Sequence, residues 1–140
     1  TSPLCVPMPE LPEVETTRRG VAPYLVGRRI VDLAIRERRL RWPIEDALID
    51  GLRDSTVRDV RRRAKYLLLD VPAGSALVHL GMSGSLRVLE RGAETRAHDH
   101  LDLLLDDGKL LRFNDPRRFG SWQWQPAGTL HPQLAALGPE

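Results

Sequence analysis

The 140-residue sequence is poor in cysteine and lysine and has no long apolar run. Cys5 is the single cysteine, so an internal disulfide and a cysteine-built zinc site are both excluded. That usage fits a cytoplasmic protein better than a secreted, disulfide-stapled one. No stretch approaches the eighteen or so apolar residues of a membrane-spanning helix, so no membrane role is expected. Thr1 to Pro7 lack both a basic start and an apolar core, which excludes a secretory signal there. What the chain does have is an ordinary hydrophobic share, 41%, and enough length to bury one core. Lys65 and Lys109 are the only lysines among 21 basic residues. The arginines gather at Arg36–Arg41, at Arg61–Arg63 and at Arg117 with Arg118. Arginine forks suit phosphate and base edges, although any one cluster reads equally as solvated surface charge.

Along the chain, Thr1–Met8 reads as a leader without periodicity. A helix follows, with Pro12 in its first turn, Glu13 and Glu15 near the positive end of its dipole, and Val14, Val21 and Leu25 on or near one face. Gly27 is placed to stop it. Ile30–Arg36 alternates like a strand, and Pro43 opens a second, shorter helix in which Ile44, Leu48 and Leu52 share a face. From Thr56 onward the pattern is short strands and turns: 56–63, 66–71, 76–80, 85–89, 101–105, 109–114 and 121–125. Asp107-Gly108 marks a tight hairpin, because that pair tolerates positive φ. The expected fold class is α+β, mostly β: a β-sandwich of short antiparallel strands flanked by two helices.

Three segments carry more than architecture. They are Met8-Pro9-Glu10-Leu11-Pro12-Glu13-Val14-Glu15-Thr16, His79-Leu80-Gly81-Met82-Ser83-Gly84 and Asn114-Asp115-Pro116-Arg117-Arg118-Phe119-Gly120. In this order and spacing they closely resemble the bacterial formamidopyrimidine-DNA glycosylases, from Met8 to Glu140. The endonuclease VIII group begins similarly, but usually with glycine where this chain has Leu11. The resemblance implies that residues 9–140 are the N-terminal catalytic domain of a base-excision repair enzyme. A second, DNA-binding domain with a four-cysteine zinc finger would lie outside this sequence, so no metal or other cofactor is expected in this chain. The implied partner is double-stranded DNA containing oxidised purines, such as 8-oxoguanine and formamidopyrimidines, or abasic sites. The implied state is a monomer.

The resemblance also assigns roles. Pro9, freed of the preceding methionine, would be the nucleophile. A free α-amine titrates about two units below lysine, so more of it is nucleophilic at neutral pH. Its attack on the sugar C1′ gives an iminium that acidifies the neighbouring sugar protons for elimination. Glu10 would move protons to and from the sugar, with Glu13 a second candidate. Lys65, His98 and Arg118 match backbone-contacting positions; such contacts place a duplex without reading its sequence. Met82, Arg117 and Phe119 match the group that fills the gap left by an extruded base: Met82 in the hole, Phe119 wedged between bases, Arg117 on the orphaned partner.

Each assignment has a plain alternative. Pro9 and Glu10 could simply open a helix. Lys65 could be a turn lysine and His98 a surface histidine. Met82 and Phe119 could be core residues, although Gly81 and Gly84 argue for a loop tip around Met82. With Thr1–Met8 attached, the Pro9 nitrogen is an amide and cannot form an iminium. The chain as written is then expected to be a catalytically inert DNA-binding module, and a free Pro9 nitrogen discriminates the two readings.

Overall fold

The computed structural model describes residues 10–137. Thr1–Met8 and Pro9 therefore lie outside the described residues, as does the side chain of Glu10. Eleven elements follow in order: α1 Glu10–Leu25, β1 Ile30–Ile35, α2 Asp46–Leu52, β2 Asp59–Arg63, β3 Tyr66–Val71, β4 Gly74–His79, β5 Ser85–Glu90, β6 Asp99–Leu105, β7 Lys109–Asn114, β8 Ser121–Pro126 and α3 Pro132–Ala135.

The strands form two four-stranded antiparallel sheets, ordered β1-β6-β7-β5 and β2-β3-β4-β8. Alternation along them turns one face of each sheet inward. Leu101, Leu103, Leu111 and Phe113 come from the first sheet, and Leu67, Leu69, Ala76 and Val78 from the second, into one buried cluster. Helix α1 packs against β2 and β5 and closes the sandwich along one side. Its Val14, Val21 and Leu25 are all buried, as their spacing requires. Helix α2 closes the other side against β8 and β4.

Three local features depart from simple periodicity. The alternation in β1 places Ile30 and Leu33 on opposite faces, yet both are buried. A register shift between Ile30 and Asp32 adds a residue to this strand and brings both inward. Helix α2 begins at Asp46 rather than at Pro43, because Glu45 is extended (φ −91°, ψ 154°) and stands as its N-cap. The short helix α3, beyond the two expected, covers the outer face of the second sheet by packing Leu134 on Leu68 and Leu77.

The strand directions have a consequence for function. The β2–β3 turn, the β4–β5 and β7–β8 loops, the start of β6 and the segment after β1 all lie at one end of the sandwich. Leu80–Met82 line hollows at that end together with Val14 of the early part of α1. All three motifs reach this end.

Candidate functional site

An open cleft of about 280 Å³ lies at this end. Val14, Arg41, Lys65, His79, Met82 and Phe119 are among its lining residues. A second hollow, beyond Leu80–Met82, is lined by Glu13, Thr17 and Ser85. Lys65 sits in the two-residue connection between β2 and β3, half-buried, after Ala64 at φ +51°. Positive φ there is what tight hairpins of this length require.

Met82 and Phe119 are not core residues. Met82 is 73% exposed and Phe119 48% exposed, whereas Leu80 and Phe113, close by in the sequence, are buried. Two large apolar groups held in solvent at the rim of a cleft need a reason outside the fold. Their loops are also packed together. Gly81 has φ +65°, and a Cβ there would come within 2.9 Å of the Phe119 backbone. Only glycine combines that conformation with that approach. Arg117 lies over the Phe119 ring, 5.2 Å from its centroid.

The group that fixes these loops is Asp115, fully buried. Its carboxylate accepts from Ser83 Oγ at 2.6 Å and from Gly120 N–H at 2.8 Å. Ser83 Oγ in turn accepts from Arg117 N–H at 3.3 Å. The backbone of Asp115 reaches further. Its N–H donates to the His98 carbonyl at 3.1 Å, and its carbonyl accepts from His100 Nε2 at 2.8 Å. A carbonyl only accepts, so the His100 ring carries its proton on Nε2. One buried residue thus ties the Met82 loop, the Phe119 loop and the His98 turn together. His98 itself is exposed at φ +70°, its ring 6.2 Å from that of His100. Arg118 is exposed at φ +55°, and its guanidinium stands 3.6 Å from Glu37. Two non-glycine residues in the left-handed region, both in candidate contact positions, are local strain of the kind that clusters at functional sites.

Arginine–carboxylate pairs frame the site. Hydrogen bonds from Arg39, with a further contribution from Arg118, hold Glu37 at a pKa of about 2. Glu15 is likewise held at about 2, first by Arg18 and then by Arg19 and Arg62, and so clips α1 to β2. Deeper, Arg112 is buried and donates to both oxygens of Asp102 and to the carbonyls of Glu94 and Ala93. It thereby anchors the loop leading to His98. Burial raises the Asp102 pKa, but Arg112 and Arg36 outweigh it and leave the group below its usual range.

The structure brings Lys65, Met82 and Phe119 to one cleft, with Arg117 stacked on the rim. His98 and Arg118 are joined to that rim through Asp115. Pro9 and the Glu10 side chain lie outside the described residues. Sequence reasoning missed Ser83 and Asp115 as the group that sets the loops, although both stand inside the quoted motifs. The available signal for Asp115 was its place directly before Pro116, inside the third motif. Cys5 is the only cysteine, and among the described residues no cluster of three or more His, Cys, Asp or Glu could hold a metal.

A β-sandwich closed by two helices, with a basic cleft and exposed apolar tips at one end, is the class of domain defined by these features. Residues 8–122 match the model of the formamidopyrimidine-DNA glycosylase N-terminal domain, and the chain belongs to that family. It is 63% identical over 133 residues to the formamidopyrimidine-DNA glycosylase of Stenotrophomonas maltophilia strain K279a, covering 95% of this chain and 49% of that relative. It is 59% identical over 133 residues to that of Photobacterium damsela subsp. piscicida, with the same coverage. The chain thus spans about half the length of these relatives. Among solved structures it is similar to the Lactococcus lactis enzyme bound non-covalently to DNA containing an abasic site. That match has a TM-score of 0.82 at 29% identity, over 90% of this chain and 48% of the other. The same enzyme with DNA containing a formamidopyrimidine matches with a TM-score of 0.77 at 30% identity, over 84% and 44%.

Proposed function

We propose that this chain is the catalytic half of a DNA glycosylase and abasic-site lyase that removes oxidised purines from duplex DNA. The observation that carries the reading is the exposure of Met82 and Phe119 at the rim of a cleft that also holds Lys65. Apolar tips beside cations are what a protein needs to prise a base from its stack and hold the backbone while the gap stays open. The similar Lactococcus enzyme, crystallised with DNA containing an abasic site, supports DNA as the partner.

In the proposed reaction the Pro9 amine attacks the sugar C1′. Glu10 delivers a proton to the ring oxygen as the sugar opens, and the damaged base leaves with the glycosidic electron pair and takes up the proton that the amine gives up as the iminium forms. The resulting iminium draws electrons from the sugar. Loss of the C2′ proton expels the 3′ phosphate, and a second elimination expels the 5′ phosphate. Lys65, His98 and Arg118 hold flanking phosphates. Met82 enters the vacated space, Phe119 wedges the partner strand, and Arg117 bonds the orphaned base.

The test is a duplex carrying a single 8-oxoguanine, incubated with the protein beginning at Pro9 and assayed for free base and for strand cleavage at that position. The reading predicts both products from the damaged duplex and neither from its undamaged counterpart. Equal treatment of the two duplexes, or binding without base release, overturns it.

A further inference from the structure

We propose that Arg41, seated on the ring of Trp42, is an additional DNA-phosphate contact of this interface. The inference rests on the reading of the cleft as a DNA site and extends it to two residues outside the three motifs. Arg41 lines the same cleft as Lys65 and Phe119. Its backbone N–H donates to the Gly120 carbonyl at 3.1 Å, which fixes the segment beside the Phe119 loop. Its guanidinium lies 5.4 Å from the centroid of the Trp42 ring, and Trp42 is 41% exposed. The neighbours of Arg41 are committed elsewhere: Arg36 to Asp102, Arg38 to Asp46 and Arg39 to Glu37. Among the described residues, Arg41 has no carboxylate within ion-pair distance. An arginine that is pre-oriented by stacking, and whose charge is not neutralised, loses little freedom on meeting a phosphate. A surface tryptophan at that point has no core to fill. It serves as the platform that holds the fork towards the cleft.

The test is equilibrium binding of the protein to a duplex with a stable abasic-site analogue, across a series of salt concentrations. Each phosphate contact contributes about 0.9 to the slope of log affinity against log salt. Arg41→Gln is expected to reduce the slope by about 0.9 and to weaken binding about eightfold at 0.1 M salt. Arg41→Lys should restore most of the slope. Trp42→Leu should weaken binding while leaving the slope in place, since the charge persists. Arg29→Gln, at the opposite end of the sandwich, should change neither. All three sites are exposed, and thermal melts check the fold of each of the four variants. An Arg41→Gln slope equal to that of the parent overturns the inference. A parent with no salt dependence at all overturns the DNA reading itself, so the two failures are distinguishable.

Discussion

Replacing Asp115 with alanine should unlock the whole working end of the domain. The carboxylate accepts two hydrogen bonds, from Ser83 Oγ and Gly120 N–H, in a fully buried position. Hydrogen bonds to charged groups contribute about 1.5–3 kcal/mol each, so Asp115→Ala should cost about 3–6 kcal/mol. That is a large share of the 5–15 kcal/mol, roughly, that holds a typical domain together. Asp115→Asn offers a gentler probe. Its amide oxygen still accepts from Gly120, and its amino group can donate to Ser83 Oγ, so the expected loss is about 1 kcal/mol. Ser83→Ala removes one partner and should cost about 1.5–3 kcal/mol. Urea unfolding of the parent, Ser83→Ala, Asp115→Ala and the double variant gives the coupling directly. A coupling of at least about 1 kcal/mol is expected, because the two residues share one bond. Asp115→Ala should also weaken binding to damaged duplex more than Ser83→Ala does, since it releases both loops. A coupling under about 0.3 kcal/mol, the usual scatter for independent sites, would refute the claim that Asp115 joins these loops.

Met82→Ala and Phe119→Ala should each change stability by no more than about 0.5 kcal/mol, as exposed positions do, while reducing affinity for damaged duplex; a loss near the 2–5 kcal/mol typical of core truncations would return them to the core. Glu15 is held at about 2 in the folded chain, below its ordinary value of 4.5. A lowered folded pKa contributes stability that is present above 4.5 and fades as pH falls towards 2, so Glu15→Gln should flatten the acid limb of the melting-temperature curve between those values. An acid limb unchanged in that variant would show that the Arg18, Arg19 and Arg62 contacts do not persist in solution. Asp102→Ala leaves the buried Arg112 without its main partner and should cost about 3–5 kcal/mol by urea unfolding. A cost under about 1 kcal/mol would mean that the pair is hydrated.

The strands from Tyr66 onward were legible because each is short, apolar and bounded by turn residues, and β3 and β7 fall on their expected limits. The loop position of Met82 was legible from its flanking glycines. Other features were not, because they depend on partners remote in sequence. Asp115 meets Ser83 across thirty-two residues, and no local pattern encodes that contact. The extra residue in β1 is set by pairing with β6 and cannot be seen in an alternating string such as Ile30–Ile35. The positive φ of His98 and Arg118 has no glycine to announce it. Arg41 looked like one member of a charged run, and only the pairing of its neighbours sets it apart.

The most direct test of the account is borohydride trapping on a duplex carrying an abasic site. Protein whose first residue is Pro9 is compared with protein that retains Thr1–Met8. The account predicts a covalent protein–DNA adduct only where Pro9 is free, since an amide nitrogen cannot form the iminium that borohydride reduces. Adducts of equal yield in both would contradict it and shift suspicion to another amine, with Lys65 the first to be replaced.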